Sequence, residues 1–227
     1  MRRNWLFLIL GFTFNLCAQE NNLSEDLKYL EDQFYLGITY NILLNKPNGV
    51  SQGNFSYGLQ GGFIKDIPLN KRRNVGIGVG LGYAYYNYYS NLFVNETPNG
   101  LEYIVLDSDV SYKRNKIDSH VIEMPIEFRW RTSTPSEYKF WRIYAGMRLG
   151  YVVGSRSKFV SNTEKISFFN SDTRKFRYGL MLNFGYSTVN VHIYYALSNL
   201  FNDGVATVDG EAIEFRPLRI GIIFYIL

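Results

Sequence analysis

The chain of 227 residues has little cysteine, histidine or proline: one, two and six residues respectively. A single cysteine excludes a disulfide framework and any cysteine-based zinc site. Charge of one sign is also lacking. Lys+Arg (24) exceed Asp+Glu (20) by only 24 − 20 = 4, no field of the kind that gathers nucleic acid, so a nucleic-acid partner is excluded. No apolar run reaches the roughly 20 residues of a membrane-spanning helix, and a mean hydropathy of −0.15 excludes a helical membrane bundle. Internal repeats and low-complexity tracts are missing as well. What is abundant is aromatic side chain, with 19 Tyr, 17 Phe and 3 Trp, and glycine, with 20 residues. So many aromatic and β-branched residues exclude a disordered chain and point to β structure.

The first residues carry an export signal. Arg2 and Arg3 precede the apolar stretch 5–14, and Leu16-Cys17-Ala18 brings a small residue ahead of Gln19. This is the order of a secretory signal peptide, placed at 1–18. The rival reading is a lipoprotein acylated at Cys17. It calls for a small residue before the cysteine, where this chain has the bulky Leu16. Next comes a segment, 19–32, in which Leu23, Leu27 and Leu30 follow Ser24 at helical spacing. The spacing predicts a short periplasmic helix with Ser24 as its cap.

From Phe34 onward apolar residues alternate with small or polar ones at period two, the strand signature. Eight such runs are present: 34–42, 55–63, 75–86, 122–131, 141–154, 177–186, 189–198 and 218–226. In the third, Val75, Ile77, Val79, Leu81, Tyr83 and Tyr85 alternate with Gly76, Gly78, Gly80, Gly82, Ala84 and Tyr86. The connections alternate in length. Those at 69–74, 133–137 and 187–188 are short, whereas 44–54, 92–115, 158–173 and 203–215 are long. Short turns at one end and long loops at the other are expected of an outer-membrane barrel with both termini in the periplasm.

The two faces decide what surrounds this barrel. One face is nearly all aliphatic and aromatic. The other carries Arg, Glu, Asn, Gln and Gly. A water-soluble barrel would have to fit the apolar face inside, where eight strands leave room for few side chains. With lipid outside, the apolar face becomes the hydrocarbon band and the polar face the lumen. Aromatics then form two girdles: Phe34, Phe63, Trp130, Trp141, Tyr186 and Phe224 toward the periplasm, and Tyr40, Tyr57, Tyr83, Tyr85, Tyr178 and Tyr195 toward the exterior. The fold class is all-β, an eight-stranded antiparallel up-and-down transmembrane barrel over 33–227. Closure removes the unpaired strand edges that lipid would not tolerate.

The lumen face gathers Glu123, Glu127, Arg129, Arg142, Arg148, Arg177 and Arg219, together with His192. Glu123 and Glu127 would be about 13 Å apart along one strand, too far for the 5–9.5 Å of a glycosidase pair. The cluster therefore reads as structural, a charge network across the wall in which each buried Arg needs an acceptor. His192 and Ser198 share a face but lie about 20 Å apart along one strand, beyond nucleophile–base contact. No catalytic, cofactor or metal site is expected, and the protein reads as not an enzyme. Asp107 and Asp109 in the longest loop read as a solvated tip, and Lys71-Arg72-Arg73 as a solvated periplasmic turn. His120 falls on the lipid-facing parity near the outer interface. Pro125 removes a ladder donor inside a strand, which predicts a bulge or kink there.

Several stretches carry a family resemblance. Arg219-Ile-Gly221-Ile-Ile-Phe224-Tyr-Ile226 resembles the terminal-strand signal read by the barrel assembly machinery, with one extra residue, Leu227. The stretches 70–78, 123–131, 139–144 and 217–227 together resemble the PorT family of outer-membrane proteins of the Bacteroidetes lineage. That resemblance implies an accessory, non-enzymatic role in the type IX secretion system, and it carries no catalytic motif to place on this chain. The partners it implies are outer-membrane lipid, the barrel assembly machinery and other secretion-system proteins. A surface adhesin or scaffold acting through the long loops is the alternative.

Overall fold

The structure is a computed structural model and describes residues 32–132 and 140–226. The expected signal peptide, the helix with Ser24, the turn at 133–137 and Leu227 lie outside the described residues. Eleven strands are present: β1 (Gln33–Leu44), β2 (Tyr57–Pro68), β3 (Val75–Tyr89), β4 (Leu92–Thr97), β5 (Gly100–Val105), β6 (Arg114–Arg131), β7 (Trp141–Val160), β8 (Lys165–Phe169), β9 (Phe176–Tyr186), β10 (Val189–Ala196) and β11 (Arg216–Ile226). Eight of them close a barrel in the order β1-β2-β3-β6-β7-β9-β10-β11. All neighbours are antiparallel and consecutive around the wall, and β1 pairs with β11 from Phe34↔Ile226 to Leu44↔Arg216.

Alternation places the side chains as expected. Leu36, Ile38, Leu81, Ile126, Phe128 and Ile222 are exposed on the outer wall, while Tyr35, Tyr86, Tyr144, Tyr194 and Tyr225 are buried in the lumen. Rings along the outer wall touch in series, Tyr40–Phe55 at 5.3 Å, Tyr57–Tyr85 at 6.1 Å and Tyr85–His120 at 5.2 Å. Phe34–Phe63 and Trp141–Tyr186 pair at the other end. Glycines inside the barrel let backbones and large side chains approach. At Gly221 a Cβ would lie 2.6 Å from Thr39 Cα across the closing seam. Only glycine fits there.

The structure departs from the periodicity in three places, each with a physical cause. First, β6 begins at Arg114 and β7 runs on to Val160, well beyond the alternating runs. Above the apolar band the outward residues become Arg114, Lys116, Asp118, Arg156 and Lys158, so hydropathy stops marking a strand whose ladder continues. Second, the bulge lies between His120 and Val121, not at Pro125. At Pro125 the pairing of β3 with β6 skips between Val79↔Ile126 and Gly82↔Glu123 without changing register, so the missing N–H interrupts the ladder and nothing more. The bulge turns Gly154 outward beside His120, whereas strict alternation along 141–154, with Arg142 and Arg148 inward, predicts it in the lumen. Third, the long loops carry strands of their own. The β4–β5 hairpin forms a separate two-stranded sheet, and β8 pairs with the extension of β7.

These loops fold over the extracellular mouth as a cap. Leu92, Val94, Tyr103, Leu200, Phe201 and Phe215 are fully buried in one apolar cluster that continues into Ala84, Tyr86 and Val121 of the barrel. Tyr103 ties the hairpin to the β8–β9 connection, its hydroxyl reaching Asp172 at 3.1 Å and Asn170 at 3.3 Å. Burial pushes the Tyr103 phenol far above its ordinary value, so it stays a hydrogen-bond donor at any physiological pH. Backbone bonds stitch the cap, including Val208 N–H to Tyr103 O and Leu200 N–H to Phe215 O.

Candidate functional site

Among the described residues, the buried charged side chains converge in the lumen. Six Arg (129, 131, 142, 148, 177, 219) and three carboxylates (Asp66, Glu123, Glu127) are buried on its face. Inward parity on β2, β6, β7, β9 and β11 puts them there, and burying so many ions is tolerable only if each is paired or hydrogen-bonded. They sort into two tiers.

The tier nearer the cap is built on Glu123. Arg148 donates from Nη1 to Glu123 Oε2 at 3.0 Å and to Gln60 Oε1. Tyr86 donates its hydroxyl to Glu123 Oε1 at 2.9 Å, and Arg219 stands 3.5 Å from the same oxygen. The Arg219 guanidinium is sandwiched between the rings of Tyr86 and Tyr194, at 3.8 and 3.6 Å. Desolvated stacking of this kind contributes roughly 2 kcal/mol. Arg177 has no carboxylate within ion-pair range among the described residues. It donates instead to Arg174 O, Leu200 O and Ser119 Oγ at 3.2–3.4 Å, the backbone carbonyls coming from the floor of the cap. A cavity of about 20 Å³ lies among these residues, room for about one water and for no organic substrate.

The periplasmic tier is built on Asp66 and Glu127. Arg131 grips Asp66 with two parallel bonds, at 3.0 and 2.7 Å, and Arg129 bridges Asp66 (3.2 Å) to Glu127 (3.0 Å). Glu127 also accepts from Tyr225 Oη at 3.1 Å and Asn183 Nδ2 at 3.3 Å. Asn183 in turn is 2.5 Å from His192 Nδ1. Arg142 has only rings around it among the described residues, Phe140 at 4.5 Å, Tyr225 at 5.7 Å and Tyr144 at 6.0 Å.

Of the residues the sequence singled out, Glu123, Arg148, Arg177 and Arg219 meet in the first tier, and Glu127, Arg129 and His192 in the second, with Arg142 beside it. Glu123 and Glu127 thus belong to different clusters. Ser198 lies apart from His192, its hydroxyl accepting from Tyr178 N–H at 3.1 Å. Asp107 lines an open extracellular recess with Gly49, Ser51 and Asn91, and no cluster of three metal-ligating side chains occurs among the described residues. The alternating runs put Arg131, Gln60 and Asn183 on the polar face without assigning them to the cluster, and they stopped short of Asp66. Inward parity carried on from Gly62 in steps of two reaches Ile64 and then Asp66, so that signal was present. Which cation Asp66 meets was not, since Arg131 is 65 positions away.

The chain matches, over residues 17–202, the family model described as an outer membrane protein beta-barrel domain. No curated protein matches it.

Proposed function

The chain belongs to the outer membrane protein beta-barrel domain family, and on that premise we propose that it is a non-enzymatic accessory of type IX protein secretion. Its membership and its closed barrel place it in the outer membrane, in contact with lipid. The observation that carries the functional reading is the filled lumen beneath a folded cap. Two tiers of ion pairs and stacked rings occupy the interior, and the loops above share an apolar core with the barrel. A barrel built in this way works through its surfaces rather than by passing a solute. His192 bonds Asn183 at 2.5 Å and Ser198 accepts from the Tyr178 N–H instead, a pairing that favours a non-enzymatic reading.

The resemblance to PorT at 70–78, 123–131, 139–144 and 217–227 supplies the secretion system, and the C-terminal strand supplies the barrel assembly machinery as the partner in insertion. Gene deletion with measurement of secreted cargo tests the role, and unchanged export would sink it. A second reading, an adhesin or scaffold, draws on the ordered β4–β5 hairpin, which presents Glu96 and Gly100 at the surface. Loss of surface attachment with normal export on hairpin deletion would favour that reading.

A further inference from the structure

The outer wall carries a second feature above the apolar band. From Trp130 to His120 on β6 is ten residue steps. At about 3.3 Å each and a tilt of about 40° these climb about 25 Å, the height of the hydrocarbon band of such a barrel. His120 therefore marks its outer edge, where its ring sits between Tyr85, at 5.2 Å, and Tyr83, whose hydroxyl is 2.5 Å from Nδ1. Above His120 the sheet β6–β7–β8 continues, and three registers cross its outward face: Asp118↔Arg156↔Phe169, Lys116↔Lys158↔Ser167 and Arg114↔Val160↔Lys165. They stand about 5, 10 and 15 Å above the band edge. The headgroup layer of a bilayer leaflet is about 5–7 Å deep.

These registers hold five cations, Arg114, Lys116, Arg156, Lys158 and Lys165, and one acid, Asp118. Asp118 is already engaged by Lys116 at 2.8 Å, and Glu164 lies in the turn beyond. Arg156 and Lys158 have no acidic partner among the described residues. Arg156 is not loose, because its guanidinium stacks on the exposed Phe169 ring at 4.4 Å. Below them on the same wall an apolar groove of about 190 Å³ runs between Leu81, Ile122, Met124, Leu149, Tyr151 and Phe176. Its upper end, the Ile122↔Tyr151 register, is about 10 Å below Arg156.

We propose that this wall is a binding site for a phosphorylated glycolipid of the outer leaflet. Arg156 and Lys158 hold its sugar phosphate, and one acyl chain lies in the groove beneath. A phosphate fits the charge, because a guanidinium fixed on a ring presents paired N–H donors to a tetrahedral oxyanion. It also fits the level of Arg156, about 5 Å above the band edge, with Lys158 one register higher on the sugar side. The groove supplies the direction of the lipid, tail toward the band and phosphate toward the exterior. Lys116, held by Asp118 and by Tyr85 Oη at 2.8 Å, flanks the site and keeps Asp118 from opposing the anion.

The test is native mass spectrometry of the delipidated full chain in detergent, offered a diphosphorylated lipid A. Parallel arms offer the same glycolipid with its phosphates removed, phosphatidylglycerol, or the diphosphorylated lipid with excess inorganic phosphate. The wild type should retain the diphosphorylated glycolipid at least tenfold better than its dephosphorylated form and better than phosphatidylglycerol. Inorganic phosphate should not displace it, because the acyl groove holds the rest. Arg156→Gln/Lys158→Gln should lose about 30-fold, the effect of two headgroup cations, while Lys71→Gln/Arg72→Gln at the periplasmic turn should retain it fully. Equal retention of the dephosphorylated lipid or of phosphatidylglycerol overturns the proposal, as does displacement by free phosphate. Full retention by the Arg156/Lys158 variant, folded by its heat-modifiable mobility, overturns it as well. Should that variant fail to fold, the phosphate dependence of the wild type decides alone.

Discussion

Replacing Glu123 removes the one carboxylate that the described residues bring to the cap-side tier. In Glu123→Ala, Arg148 loses its partner at 3.0 Å, Arg219 its partner at 3.5 Å and Tyr86 its acceptor at 2.9 Å. Removing one member of a buried ion pair costs about 3–5 kcal/mol, because the other charge stays buried. The lumen here is already positive, with six Arg to three acids, and the substitution leaves six to two. Arg219 keeps its place between the Tyr86 and Tyr194 rings, so the loss falls mainly on Arg148, left with Gln60 and the Tyr35 ring at 5.7 Å. We expect destabilisation of about 4 kcal/mol. Glu123→Gln keeps an oxygen for Tyr86 and should cost about 2 kcal/mol, the charge part of the loss. Glu123→Ala/Arg148→Met, which deletes both charges, should recover at least half of the single-variant loss. The measurement is urea unfolding of the barrel refolded in lipid vesicles, read by the fluorescence of Trp130 and Trp141 and by heat-modifiable mobility. A shift below about 1 kcal/mol for Glu123→Ala, or a double variant as unstable as the summed single variants, would refute the pairing argument.

Arg177 offers the opposite case, since it answers only carbonyls and a hydroxyl. Arg177→Met should cost less than about 1 kcal/mol in the same titration, because it removes a buried cation from positive surroundings. Gly221→Ala should destabilise by about 3 kcal/mol and slow appearance of the folded gel band, since the new methyl would press on the β1 backbone at Thr39. Gly154→Ala, with open space outside the wall, should be silent in both measurements. Phe201→Ala removes a fully buried ring of the cap at about 3–5 kcal/mol. Its readout is faster proteolysis of the loops with an unchanged barrel band, and loss of the barrel band would instead mean that cap and barrel unfold together.

How far the sequence carried the reading depended on where lipid acts on it. Between Trp130 and His120 the bilayer forces one face of every strand to be apolar, so alternation marks all eight barrel strands and the inward parity of Glu123, Glu127 and the arginines. Above His120 water returns on the outside. Lys116, Asp118, Arg156 and Lys158 then face outward in place of Ile and Phe, and the continuing β6–β7–β8 sheet is invisible to a hydropathy pattern although its hydrogen bonds are unbroken. The hairpin Leu92–Thr97 and Gly100–Val105 was hidden for a related reason, being only six residues a strand and packing Leu92, Val94 and Tyr103 into the cap rather than against lipid.

Inside the barrel the limit was different. Parity says that Asp66, Arg131 and Tyr225 point inward but not at what height. Height follows from the stagger of the closed sheet, which brings Glu127 to Tyr225 across 98 positions. Charges could thus be counted from the sequence while their pairing could not. The surfaces left for recognition, the cap and the cationic wall, both stand where the period-two constraint ends. Lipid dictates the residues of the band and water does not dictate those above it, so the part of the chain least readable by alternation is the part free to be shaped by what it binds.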